Sequence, residues 1–72
     1  MNKYLIIVEK SETGYSAYSP DLPGCIATGA SVKETEKLMK AAIDFHIQGL
    51  IEEGYPIPKP VTRAAEYFSV PS

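Results

Sequence analysis

Residues 14 to 34, GYSAYSPDLPGCIATGASVKE, constrain the fold of this chain more than any other stretch. Side chains alternate through its first part, which places Tyr15 and Ala17 on one face of a strand. Pro23 and Gly24 suit the central positions of a type II turn, because proline presets φ and glycine accepts a positive φ. The stretch therefore predicts a strand, a tight turn, a second strand and the start of a helix.

The helix is predicted from signals at both of its ends. Ser31 and Glu34 have the spacing of a capping box, in which two side chains satisfy the first backbone donors of a helix. Gly54 suits the left-handed residue that terminates many helices. We therefore expect one helix over residues 32–53.

The helical pattern predicts two apolar surfaces. The main face consists of Val32, Thr35, Leu38, Met39, Ala42, Phe45, His46, Gly49 and Leu50. An additional row at its edge contains Ile43, Ile47 and Ile51. Because one small sheet covers about one stripe of a helix, we expect this row to contact another copy or another protein. Gly49 is expected to allow close approach of the sheet or of a neighbouring subunit.

The remaining strands follow from shorter patterns. The apolar run from Tyr4 to Val8 has no polar face, which predicts a central strand over residues 4–9 that is buried on both sides. Strands are also expected over residues 15–19, 25–28 and 67–70, the last after the proline-rich strip of residues 56–60. The order β-β-β-α-β predicts an α+β fold, a small mostly antiparallel sheet with one long helix packed on one face. Residues 1–72 are expected to form a single domain.

Composition limits how so short a chain is stabilised. A chain of 72 residues buries only about 60% of its extended surface. One cysteine excludes an intrachain disulfide, and one cysteine with one histidine is too few for a zinc site. Self-association is the remaining way to stabilise so short a chain, so we expect a homo-oligomer, either a dimer or a tetramer. The apolar run near the N-terminus is too short for a signal peptide or a membrane span, and we expect a soluble cytoplasmic protein.

No residue pattern predicts catalysis. His46 lies on the apolar helix face without a carboxylate at helical spacing, and Cys25 follows a turn without a base to activate it. Glu9, Asp21 and Asp44 are scattered or have local roles, as expected for surface acids rather than metal ligands. We therefore expect no catalytic residue, no metal site and no cofactor. The net charge of −2 argues against nucleic acid as the main partner.

Two acids at the helix end are harder to explain. Glu52 and Glu53 occupy the last turn, where the helix dipole disfavours carboxylates by about 0.3–1 kcal/mol each. In one interpretation the two acids are solvated surface residues, and solvent screens their unfavourable interaction with the helix dipole. The other is an acidic ridge that serves a basic partner beside the isoleucine row.

The run PDLPGC-x-x-x-G-x-S-x-x-E, followed by the helix and GYPIP, resembles the N-terminal domain of HicB-type antitoxins over about residues 3 to 60. The resemblance implies a partial ribonuclease H-like fold without a working active site. It also implies self-association and neutralisation of a small basic HicA toxin that cleaves messenger RNA. Family members commonly continue into a DNA-binding segment, and the dozen residues after the proline strip predict a short form without one, so no direct nucleic acid binding is expected.

Three functional hypotheses follow. The first is a non-enzymatic antitoxin-like module that masks a HicA-type toxin. Its predicted contact residues are Asp21, Leu22, Ile47, Ile51, Glu52 and Glu53. The second is a self-associating domain without a toxin partner. The third is a metal-dependent ribonuclease H-like hydrolase, which requires Glu9 and at least two further carboxylates around one ion.

Overall fold

The computed structural model describes residues 2–71, which form a three-stranded antiparallel sheet and one long helix. The strands are β1 (Ile7–Lys10), β2 (Tyr15–Tyr18) and β3 (Ile26–Gly29), and the helix is α1 (Val32–Glu53). The sheet order is β1-β2-β3, with both neighbouring pairs antiparallel. This architecture confirms the predicted α+β class, with three antiparallel strands followed by one helix that has both of its predicted ends.

The turn between β2 and β3 forms as predicted. Gly24 has a φ of 83°, and the Cys25 amide donates to the Leu22 carbonyl over 3.2 Å, as in a type II turn with Pro23 and Gly24 at its centre. A preceding turn is closed by the Leu22 amide, which donates to the Ser19 carbonyl over 3.1 Å. The two consecutive turns direct the Leu22 side chain into the core.

Both ends of α1 are capped. The Ser31 hydroxyl accepts from the Glu34 amide over 3.1 Å, and the Glu34 carboxylate accepts from the Ala30 amide over 2.6 Å. At the other end Gly54 has a φ of 75°, and the amides of Gly54 and Tyr55 donate to the carbonyls of Ile51 and Leu50. This pair of bonds is a Schellman motif. Within residues 2–71, α1 is too polar to cross a membrane.

The core lies between α1 and one face of the sheet. Its buried apolar members are Ala17, Leu22, Cys25 and Met39. Partly buried residues packed around them are Tyr4, Ile6, Val8, Ala27, Ala42, Ile43 and Ile47. The alternation of Tyr4, Ile6 and Val8 is the one expected of a strand with one face on a core. The sheet register places Ile7, Tyr18 and Ile26 in one row on the opposite face, which no other layer covers within residues 2–71.

Two strand predictions require correction. The run from Tyr4 to Val8 was expected to lie in the middle of the sheet, but β1 begins at Ile7 and is an edge strand, which within residues 2–71 pairs with β2 alone. The expected fourth strand over residues 67–70 does not form: this segment has no ladder partner in residues 2–71, and Tyr67 is fully exposed. Strand propensity is insufficient by itself, because a strand requires a neighbour to bond with.

The segment after α1 returns to the sheet end and then leaves it. The Tyr4 hydroxyl donates to the Pro58 carbonyl, and the Thr62 amide donates to a carboxylate oxygen of Asp21 over 3.2 Å. These two bonds fix the proline-rich strip against the N-terminal residues and the turn after β2. From residue 63 to residue 71 every side chain is exposed.

Candidate protein-binding surface

The six predicted contact residues do not form one surface. Ile51, Glu52 and Glu53 are exposed together at the end of α1, with 59% of the Ile51 surface accessible. The prediction of Leu22 as a contact residue requires correction, because only 1% of its surface is exposed and its side chain belongs to the core. Ile47 is half-buried and packs against that core.

Asp21 has a structural partner within the chain. Its carboxylate accepts the Thr62 amide and lies near Arg63. Burial raises the pKa of Asp21, but hydrogen bonds from Thr62 and Val61 and the positive charge of Arg63 outweigh it, so the pKa lies below its usual value. Asp21 therefore fixes the C-terminal segment in place.

The rotation of α1 about its axis explains why Ile43 and Ile47, which were expected to contact a partner, lie close to the core. Thr35 and Met39 are completely buried and define the direction of the core. At about 100° per residue, Ile43 lies about 40° from Met39 and Ile47 about 80° from it, both close enough to reach the core. Phe45 lies about 120° away on the other flank, and 82% of its surface is exposed.

One flank of α1 is apolar and partly exposed. It consists of Leu38, Ala42, Phe45 and Gly49, which we call the helix stripe. Their spacing of four, three and four residues is that of a helix–helix packing seam. A Cβ atom built at Gly49 would meet nothing within 4 Å, so no part of residues 2–71 occupies the space beside this glycine. The helix stripe is thus exposed at Leu38 and Phe45, while Ala42 packs against the core at its edge.

Acidic side chains border the helix stripe. Glu34 and Glu52 lie at its two ends, each within about 20° of Phe45 around the helix. Lys33, Lys37 and Lys40 lie about 80° to 140° from Phe45, on the side away from the core. The charge around the stripe is therefore mainly negative, which suits a partner with a basic surface.

The residues considered for chemistry are not brought together. In the described part of the chain, no three side chains of His, Cys, Asp and Glu lie close enough to hold a metal ion. Cys25 is buried among core residues, and this burial raises the pKa of its thiol. The acid cluster that the hydrolase hypothesis requires is not formed by residues 2–71.

Phe45 and Leu38 were missed as surface residues because both fit the apolar pattern of the predicted core face. One available signal was the helix start: Thr35 follows the capping box directly, and its hydroxyl donates to the Ser31 carbonyl. Choosing Thr35 and Met39 as the centre of the buried face would have left Phe45 on its flank.

Comparison with known proteins identifies a matching family and individual proteins with similar sequences. The family described as HicB-like antitoxin of bacterial toxin–antitoxin systems matches residues 4–71. An uncharacterized 14.9 kDa protein of Haemophilus phage HP1 is 41% identical over 56 residues, covering 78% of this chain and 42% of the phage protein. A UPF0150 protein of Thermoplasma acidophilum is 38% identical over 58 residues, covering 79% of this chain and 84% of that protein.

A solved structure shares the fold. A chain in the HicA3 and HicB3 toxin–antitoxin complex superimposes with a TM-score of 0.69 at 31% identity, covering 82% of this chain and 72% of that chain. The family match, the sequence relatives and the shared fold all agree with the resemblance carried by the PDLPGC motif. The chain belongs to the HicB-like antitoxin family of bacterial toxin–antitoxin systems.

Proposed function

We propose that this protein is a cytoplasmic antitoxin that binds a small basic HicA-type toxin and covers the toxin surface that engages RNA. The observation that carries this proposal is the 31% identity and TM-score of 0.69 with a chain of a HicA3 and HicB3 complex. The protein itself acts without catalysis in this proposal. Its net charge of −2 favours a basic protein partner over nucleic acid.

The proposed contact surface is centred on Phe45. It extends along the helix stripe to Glu52, with Glu53 at its border. Of the residues predicted from sequence, Glu52 and Glu53 remain direct contact candidates. Ile51 is exposed, but it lies about 120° from Phe45 around the helix and outside this surface. Asp21, Leu22 and Ile47 act indirectly, by fixing the C-terminal segment and the position of α1.

Charge and apolar area have separate roles in this interaction. Glu34, Glu52 and Glu53 attract a basic toxin and raise the association rate, an effect that salt screens. Phe45 and Leu38 bury apolar surface on binding and slow dissociation. Masking then requires only that the bound antitoxin excludes RNA from the toxin surface.

The test uses the purified chain and, where the adjacent open reading frame encodes a small basic HicA-type protein, that protein. Titration calorimetry should show a complex, and the toxin's cleavage of messenger RNA should stop at the stoichiometric ratio. Phe45→Ala should weaken binding at least tenfold, since truncating a central aromatic anchor costs about 2 kcal/mol or more. Lys40→Ala is the matched control, because Lys40 is exposed on the same helix but on its other side.

Two results would contradict the proposal. One is the absence of binding to the encoded toxin by the folded protein. The other is turnover of RNA by the purified antitoxin alone, which would favour the hydrolase hypothesis. A stable oligomer with no toxin gene beside it would favour a self-associating domain without a toxin partner.

A further inference from the structure

A cleft of about 660 Å³ lies beside the residues that lead into β1. Residues 2–5 line it together with Lys59, Pro60, Thr62 and Arg63 from the segment after α1. Its volume falls within about 300–1,000 Å³, the range of sites that bind small molecules. The cleft shares no residue with the helix stripe, so it is a separate candidate site.

The lining of this cleft is positively charged. Lys3, Lys59 and Arg63 all line it, and the lining residues known from residues 2–71 include no aspartate or glutamate. The whole chain has seven lysines and arginines against nine acids, so this concentration of positive charge is local. A cleft lined by charges of one sign focuses the electric field and raises the local concentration of oppositely charged ligands. The ligand that suits the cleft is therefore an anion.

Hydrogen bonds hold one wall of the cleft in place. The Asp21 carboxylate accepts from the Thr62 amide over 3.2 Å, and the Arg63 guanidinium donates to the Pro60 carbonyl over 2.9 Å. Arg63 keeps further N–H donors, because a guanidinium carries five. The negative charge of Asp21 also acts on Arg63, so the two lysines supply most of the positive field. A wall that is already fixed lowers the ordering cost of binding a ligand.

Apolar surface lies beside these cations. Tyr4, Leu5 and Pro60 line the same cleft, and each of them is half-buried. The Tyr4 hydroxyl donates to the Pro58 carbonyl, which fixes the position of the Tyr4 ring. Lysine and arginine bind phosphate groups, and aromatic side chains stack on the planar bases of nucleotides. Cations next to aromatic and apolar surface thus match the two parts of a nucleotide.

We propose that this cleft binds a free nucleotide, with its phosphate groups on Lys3, Lys59 and Arg63 and its base against the apolar lining. A long RNA strand would extend beyond the cleft over a protein of net charge −2, which repels it, so the ligand is short. This binding requires no toxin and does not depend on the proposed antitoxin role.

The first test titrates the isotope-labelled protein with adenosine triphosphate, without added divalent metal, and follows its amide resonances by NMR. The resonances of Lys3, Tyr4, Thr62 and Arg63 should shift and saturate with a Kd of about 1 mM or tighter. Adenosine lacks the phosphate groups and inorganic triphosphate lacks the base, so each should bind about tenfold more weakly or worse.

The second test compares two charge reversals that alter the net charge equally. Lys59→Glu and Lys37→Glu each change it from −2 to −4, since one lysine is lost and one glutamate is gained. Lys59→Glu should weaken nucleotide binding about tenfold or more, and Lys59→Arg should retain it. Lys37 is exposed on α1 outside the cleft, so Lys37→Glu should stay within about twofold of wild type. Urea unfolding verifies that each variant is folded, and Lys3→Glu replaces Lys59→Glu if that protein is not.

Four results would overturn the proposal. The first is the absence of saturable shifts with adenosine triphosphate, and the second is an equal loss of affinity in Lys59→Glu and Lys37→Glu, which would indicate attraction to overall charge alone. The third is inorganic triphosphate binding as tightly as the nucleotide, because the base would then make no contact. The fourth is tighter binding of a single-stranded oligoribonucleotide, because the ligand would then be a nucleic acid.

Discussion

Two glycine-to-alanine substitutions should shift the stability of this protein in opposite directions. Gly14 precedes β2, and a Cβ atom built there would lie 2.5 Å from the Gly29 carbonyl oxygen, which is backbone at the end of β3. Gly49 lies in the second half of α1, where a built Cβ atom would meet nothing within 4 Å. Neither glycine has a positive φ, so only sterics and helix propensity differ between the two sites.

The expected magnitudes follow from these surroundings. At Gly14 the added methyl group must move a backbone atom by about 0.9 Å to reach ordinary contact, and such overpacking costs about 1–3 kcal/mol or more. At Gly49 alanine improves helix propensity by about 0.8–1 kcal/mol. A chain of 72 residues typically has about 4–11 kcal/mol of stability, so both changes are measurable.

Thermal and urea unfolding followed by far-ultraviolet circular dichroism provides the assay. Gly49→Ala should raise the melting temperature by about 4–8 °C, and Gly14→Ala should lower it by about 4 °C or more. A Gly14→Ala protein as stable as the wild type would refute the close β2–β3 approach. If Gly49→Ala is less stable than the wild type at every protein concentration, Gly49 packs within its own chain, and the space beside it on the helix stripe is not open.

Three further predictions concern single sites. Ser31→Ala should cost about 1 kcal/mol by removing the bond to the Glu34 amide, while Ser11→Ala should stay within about 0.5 kcal/mol of wild type, as urea unfolding would show. Cys25 should react slowly with a thiol reagent until the protein unfolds, because burial raises its pKa; rapid reaction of the native protein would contradict this. Asp21 has a lowered pKa in the folded state, so its stabilising effect is complete above about pH 4 and is lost as the pH falls through the folded value. The stability difference between wild type and Asp21→Asn should therefore shrink in acid, and a difference that is constant with pH would exclude the Asp21–Thr62 bond.

Local signals predicted the fold accurately where they act within a few residues. The Ser31 and Glu34 capping box, the Pro23–Gly24 turn and the Gly54 cap all formed where the sequence placed them. Each depends on backbone geometry that its own residues determine. The two ends of α1 could therefore be predicted closely from the sequence.

The sequence predictions were wrong where the structure of a segment depends on the element that packs or pairs with it. The central position expected for residues 4–9 and the strand expected over residues 67–70 both depend on neighbouring strands that residues 2–71 do not supply. The rotation of α1 was misjudged because its apolar pattern is wide enough to face the sheet in more than one orientation. Thr35 and Met39 determine the actual rotation by packing, which leaves Phe45 outside the core.

A comparison of Phe45→Ala with Lys40→Ala in binding to the HicA-type toxin proposed as the partner tests the masking surface most directly. Both residues are exposed on α1, so both variants should unfold at the same urea concentration as the wild type. The account predicts that Phe45→Ala loses at least tenfold in affinity and no longer protects messenger RNA at the stoichiometric ratio, while Lys40→Ala behaves as wild type. Equal toxin affinity of the two variants and the wild type would contradict a masking surface on the helix stripe.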